Sequence, residues 1–208
     1  MMSIAYDYSR ATVTPVPASK PRLLLIDGQS VITKTRGIER AWVSPADVPP
    51  CEDAIVAIAE ADLIVLGPGS LYTSLLPSLL LPQIRDAVTA SSALRLYVCN
   101  VATQDGETAG FDLAAHVEAL VAHTAPGLVD LVLANNRFDA SIPPDWTTET
   151  VRLHWPPTAI GPVPRLILDD VVDADNARRH DPARLATAIM HALEAETATR
   201  RRAVGRTA

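Results

Sequence analysis

The chain has 208 residues, 48% of them hydrophobic and 20% charged. That is long enough to bury a core without disulfides or metals, and too apolar for wholesale disorder. A formal net charge of −6 excludes a surface built mainly to neutralise phosphate backbones, so no nucleic-acid partner is expected.

Residues 1–21 hold Pro15, Pro17 and Pro21 among Ser, Thr and Ala without periodicity and read as a loose arm. The opening segment carries Asp7 and Arg10 where a signal peptide needs apolar residues, and no stretch approaches the ~18 apolar residues of a membrane span. A cytoplasmic protein without a membrane span is therefore expected. RLLLID (22–27), QSVITK (29–34) and GIERAWV (37–43) read as short strands divided by glycine turns, a small β-meander.

From Glu52 the pattern changes to helices alternating with buried strands. Residues 52–61 have helical apolar spacing, and 62–67 form an apolar run closed by glycine. A helical stretch through Leu71 to Leu76 is cut by Pro77, and 82–91 form a second helix with proline at its start. Strand 95–100, loop 103–110, a helix over 112–125 capped by Asp112, and a buried strand over 127–136 follow.

Residues 138–146 read as a loop, and 150–155 and 164–170 as strands held to edge positions by the surrounding prolines. The last helix spans 181–196, with Asp181 as N-cap and Pro182 at its first position. The fold class is α/β: a Rossmann-like, mostly parallel sheet with flanking helices plus the meander. One domain over 22–198 and a flexible Arg-rich tail over 199–208 complete the expected organisation.

Ligands of open parallel sheets collect beyond the carboxyl ends of the strands. Three polar segments lie there: GPGSLYTS (67–74), NVATQDGET (100–108) and ANNR (134–137). Gly67 and Gly69 allow a tight turn whose amides can face an anion, with Ser70, Tyr72 and Thr73 at the next helix start. The same residues also suit an ordinary strand-to-helix turn. Asn100, Thr103, Gln104, Glu107 and Thr108 suit sugar hydroxyls or a base edge, and equally a solvated loop; Asn135 carries the same two readings. Arg178, Arg179 and His180 precede the last helix, where a guanidinium can clamp a phosphate or simply stand exposed. Cys51 and Cys99 are isolated from each other and from any histidine at ligand spacing, and His116 and His123 sit seven apart on one helix. Neither a disulfide nor a metal site is expected, and no motif calls for a cofactor.

The stretches ADLIVLGPGSLYTSLLPSLLLPQIRDA (61–87), LYVCNVATQDGETAGFDLAAHVEAL (96–120) and RRHDPARLATAI (178–189) resemble the YvcK-type gluconeogenesis factors, relatives of the CofD phospholactate transferases. The resemblance runs from about residue 27 to residue 190. It implies a UDP-sugar-binding protein, with UDP-N-acetylglucosamine as an example, that supports cell shape and wall synthesis on gluconeogenic carbon sources by regulation rather than turnover. For the CofD branch it implies phospholactyl transfer to a deazaflavin precursor.

By this resemblance Gly67, Pro68, Gly69, Ser70, Tyr72 and Thr73 occupy the central loop. Asn100, Thr103, Gln104, Gly106, Glu107 and Thr108 occupy the second, and Arg179, His180 and Asp181 a C-terminal motif. Asp105 stands where the family pattern has Pro, Ala102 where a larger side chain is usual, and Trp146 in place of a recognisable Tyr. The family's opening GGGTG strand-turn-helix and Asp-Gly-Gly segment have no counterpart in the sequence. The expectation is a C-terminal portion, one half of a split protein, or a non-binding remnant, with a homo-oligomer or a separately encoded N-terminal half as partner.

Overall fold

The computed structural model describes residues 11–15, 26–27, 29–45, 48–140, 146–158 and 160–204. The chain enters through β1 (Ala11–Pro15), β2 (Ile26–Asp27), the single turn α1 (Gln29–Ile32) and β3 (Ile38–Val43). β1 pairs antiparallel with both of the others, giving the order β2-β1-β3. A three-stranded antiparallel sheet is thus present, but it is not the expected meander: β2 and β3 are not neighbours, because β1 lies between them. Part of the supposed arm, Ala11–Pro15, is its central strand; residues 1–10, 16–21 and 22–25 lie outside the described residues.

Residues 29–32 are helical instead of a strand. Their β-branched residues suggest a strand, but Thr35 Oγ1 donates back to Val31 O at 2.9 Å and Ile32 is fully buried. Tertiary packing of this one turn overrides local propensity.

α2 (Glu52–Glu60) buries Ala54 and Ile58, one turn apart, and carries Glu52 and Asp53 at its positive end. It leads into β4 (Leu63–Leu66). After the GPGS turn come a short π-helix at Leu71–Leu75, α3 (Leu76–Leu79) and α4 (Pro82–Ala90), which opens on proline as expected. β5 (Leu94–Val98), α5 (Leu113–His123), β6 (Leu131–Asn135) and β7 (Arg165–Asp169) follow. Asp112 caps α5 by accepting from Ala115 N at 2.9 Å.

The four strands form one sheet in the order β4-β5-β6-β7, every pair parallel. The parallel core expected from the strands over 62–67, 95–100 and 127–136 is therefore present, and the strand expected over 164–170 does lie at an edge. β4 forms the other edge.

Alternation along β5 divides the interior in two. Leu94, Leu96 and Val98 join Leu131 and Leu133 in one cluster, while Tyr97 and Cys99 join Val132 and the residues buried by α2, α4 and α5 in the other. The first cluster is closed by α6 (Pro182–Val204) through Ala188 and Ala192. Helices thus cover both faces of the sheet, as its strands, apolar on both sides, require.

Two further expectations change. Residues 150–155 form no strand; Thr150 makes one bridge to Ala102, and Val151 N donates to Val101 O at 3.0 Å, before Pro156 and Pro157 remove the next donors. The segment before the last helix forms a two-stranded hairpin, β8 (Val172–Asp173) and β9 (Asn176–His180). α6 continues to Val204, so the first residues of the supposed tail are helical. Among the described residues no helix is long and apolar enough to cross a membrane.

Candidate functional site

At the carboxyl ends of β4 and β5 a crevice of about 510 Å³ is lined by Pro68, Gly69 and Ser70, by residues 100–104, and by Arg178, Arg179 and His180. Three sequence-distant segments meet there, two of them following parallel strands, as the rule for open α/β sheets anticipates.

The GPGS turn is held by an amide. Asn100 Oδ1 accepts from Gly69 N at 3.2 Å, and its Nδ2 donates to Gly69 O at 2.9 Å. Asn100 thus satisfies both backbone groups of Gly69 and fixes the turn against the end of β5. The two glycines differ. Gly67 has φ +86°, and a Cβ there would meet Val98 O at 2.9 Å, whereas a Cβ on Gly69 would meet only Ser74 Cβ at 3.6 Å. Backbone strain therefore belongs to Gly67 alone.

Ser70 begins the π-helix, and its hydroxyl accepts from Gln104 Nε2 at 2.6 Å. Gln104 Oε1 is buried without a partner among the described residues. Behind this wall Glu107, almost fully buried, accepts from Tyr72 N at 3.0 Å and from Thr73 Oγ1 at 2.7 Å. Its carboxylate sits where the first N–H groups of the helical segment need acceptors. Burial pushes the Glu107 carboxyl up, against these hydrogen bonds. Thr108 Oγ1 accepts from Gln104 N at 2.9 Å, and Thr103 Oγ1 accepts from Glu149 N at 3.0 Å.

β9 supplies the other wall. His180 is half-buried; its Nε2 donates to Cys99 O at 3.2 Å, and burial holds the imidazole below its usual range, favouring the neutral ring. The tautomer set by that bond leaves Nδ1 as an acceptor. Arg178 lies over the Trp146 ring, 4.6 Å from its centroid. Arg179 is exposed and makes no hydrogen bond or ion pair with any described residue, so its guanidinium is uncommitted on the rim.

The structure thus brings Pro68, Gly69, Ser70, Asn100, Thr103, Gln104, Arg179 and His180 together. It places Tyr72, Thr73, Glu107 and Thr108 behind the crevice as its frame. Gly67 lines a neighbouring groove, and Asn135 is outside both. The amide of Asn135 is occupied instead by Val171 N, at 3.3 Å, and by Arg137 O, joining the end of β6 to β8. A strand-end amide that already has two backbone partners has little left for a ligand.

Sequence reasoning offers Arg178 and Arg179 as alternative guanidiniums, the resemblance assigns only Arg179 to the site, and neither gives a reason to include Trp146. The signal for Arg178 was present in VVDADNARRH, where Asp173 and Asn176 make side-chain bonds to Asp175 N and Arg178 N typical of turns. Reading that turn places the basic run on a strand. Trp146 had no such local signal, because its partner lies far along the chain.

A family model described as 2-phospho-L-lactate transferase CofD matches residues 10–150. The chain belongs to the CofD family. The gluconeogenesis factors of Halalkalibacterium halodurans and Bacillus subtilis are each 34% identical to it, over 80% and 82% of this chain and 53% and 55% of their own. A crystal structure described as a member of the UPF0052 family from Bacillus halodurans superposes with a TM-score of 0.71 at 32% identity, covering 86% of this chain and 58% of that one. This member of the CofD family therefore spans about half the length of the curated relatives it matches. The resemblance to the gluconeogenesis factors and their CofD relatives holds, and the Rossmann-like parallel architecture holds with it.

Proposed function

We propose that the crevice binds a UDP-sugar such as UDP-N-acetylglucosamine, and that the chain contributes to a regulatory protein supporting cell shape and wall synthesis on gluconeogenic carbon sources. The observation that carries this reading is the uncommitted Arg179 guanidinium on the rim that also holds the clamped Gly69–Ser70 backbone. A guanidinium and a glycine turn suit a diphosphate. Gln104 Oε1 and a neutral His180 suit donors on a sugar or base. The relatives' name, gluconeogenesis factor, supports the physiological setting.

Calorimetric titration with UDP-N-acetylglucosamine tests the reading. Arg179→Ala should cost roughly 1.5–3 kcal/mol, about 10- to 100-fold in affinity. Lysine should rescue only in part, keeping charge but losing the planar fork. Arg178→Ala should have the smaller effect, because that guanidinium is engaged by Trp146. Asn135→Ala should leave affinity unchanged. Equal binding by the parent and Arg179→Ala overturns the assignment.

A second reading, CofD-like phospholactyl transfer, is favoured by the description of the matching family model. The same rim would then hold the phosphate of the donor. Titration with a phospholactate-type donor distinguishes the two.

A further inference from the structure

β7 is an edge of the parallel sheet, and among the described residues β6 is its only strand partner. At one end of the strand Arg165 N donates to Asp130 O at 3.0 Å, and at the other Asp169 O accepts from Asn136 N at 3.1 Å. Strand backbone alternates, so Arg165, Ile167 and Asp169 turn their N–H and C=O groups toward β6, while Leu166 and Leu168 turn theirs outward. Pro164, just before the strand, has no N–H and ends the outward row of donors.

The two faces of β7 carry different chemistry. Leu166 packs against the larger core cluster, and Leu168, on the same face, is 45% exposed. Ile167 packs on the opposite face, against the cluster closed by α6, with Arg165 and Asp169 on either side of it. The Arg165 side chain is 53% exposed and reaches Glu196 of α6 at 2.7 Å. Asp169 Oδ1 accepts from Asp170 N at 2.8 Å. The strand sequence RLILD thus reverses its charge from end to end about Ile167.

We propose that two copies of this chain pair β7 with β7, antiparallel about a two-fold axis through Ile167, and so join their sheets into one. Charge complementarity chooses a second copy as the occupant. In this register Arg165 stands opposite Asp169 of the second copy at both ends, and Leu166 stands opposite Leu168. The hydrogen-bonding phase agrees, because Leu166 and Leu168 are the residues with outward groups, and each such pair can exchange both N–H···O bonds. Arg165 and Asp169 fall at the non-hydrogen-bonded positions, where facing side chains stand closest. Charges at a strand edge ordinarily block pairing. Moving the axis by one residue in either direction sets Arg165 or Asp169 against Ile167, so the same charges that block other partners select this register. A two-fold contact uses the same patch on both copies and closes on itself, so association stops at a dimer. β4, the other edge, reads LIVL and has no charge with which to set a register against itself. The proposal does not depend on which ligand the crevice takes.

Sedimentation equilibrium of the full 208-residue chain, with amide exchange measured on the same samples, tests the proposal. The expected result is a mass that rises with concentration from 22.2 kDa to twice that value and no further, with the Leu166 and Leu168 amides exchanging more slowly in the dimer. Arg165→Asp alone and Asp169→Arg alone each set like charges against each other at both ends, and each should weaken the dimer about tenfold or more. Mixing these two variants restores opposite charges at both ends, and the mixture should associate as tightly as the parent. The surface pair with Glu196 contributes little to the fold, so its loss in Arg165→Asp leaves the monomer intact. Leu168→Pro removes an outward N–H at an edge position where proline is tolerated, and serves if a charge variant does not fold.

A chain that stays monomeric up to about 1 mM overturns the proposal. So does a dimer indifferent to the single charge reversals, or one that the mixture of the two variants fails to restore. A dimer in which the newly protected amides lie on β4 instead of at Leu166 and Leu168 places the contact on the other edge and overturns it as well.

Discussion

Gly67 and Gly69 are two positions apart and have different requirements. Gly67→Ala combines a left-handed φ of +86° with a 2.9 Å approach of the new Cβ to Val98 O. The conformation alone costs about 1 kcal/mol or more, and the contact is with backbone, which cannot swing away. A loss of at least about 2 kcal/mol in urea unfolding is expected. Gly69→Ala meets only an ordinary van der Waals contact, so its stability should stay within about 0.5 kcal/mol of the parent. The sequence marks both glycines as turn residues but cannot say which one is strained, because that depends on where β5 passes. The same limit applies to Asn100 and Asn135. Both are strand-end amides in the sequence, and only the fold shows that one clamps the crevice loop while the other is spent on β8.

Among the elements, the short π-helix at Leu71–Leu75 depends on a side chain from another loop. Glu107 accepts from Tyr72 N and Thr73 Oγ1 in a buried setting. Glu107→Ala therefore removes a buried acceptor shared by Tyr72 and Thr73 and should cost about 2–3 kcal/mol. Glu107→Gln should cost less, since its carbonyl can still accept from Tyr72 N while the Thr73 hydroxyl turns to accept from the new amide. Thermal unfolding of the two variants side by side checks this order. The parallel strands and the capped helices are legible because their signals are local: apolar runs closed by polar turns, Asp112 and Asp181 as caps, and Pro82 and Pro182 at helix starts. The turn at Gln29–Ile32 is not, since only four residues are involved. Packing against the second loop decides it: a Cβ on Gly106 would come within 2.3 Å of Thr33 O. The extended segment after Glu149 is misread for a related reason, its partner being a loop rather than a strand.

At the scale of the whole molecule, three histidines respond to acid in the same direction. Burial lowers the His116, His123 and His180 rings below their ordinary value of 6.5, partly offset in each by a hydrogen bond to a carbonyl. The unfolded chain then binds protons that the folded chain refuses, so stability is full above about pH 6.5 and falls as pH drops through that value. The slope should approach ~1.4 kcal/mol per pH unit for each fully excluded proton. Urea midpoints from pH 8 to pH 5.5 measure it, and His116→Gln should flatten the curve. Glu107 acts oppositely, in a lower window. Its carboxyl is raised by burial, so between its ordinary value of 4.5 and its raised value the folded chain holds the extra proton, and falling pH there favours the fold.

The crevice walls come from the turn after β4, the loop after β5 and the strand before α6, segments separated along the chain by whole strand–helix units. Anything bound there acts as a removable staple between Gly69 and Arg179, holding α6 against the sheet from its N-terminal end. Its stabilisation follows mass action: at one hundred times the dissociation constant it contributes about 2.7 kcal/mol. A thermal-shift series or the rate of proteolytic cutting between those segments would thus report occupancy of the crevice without any assay of chemistry.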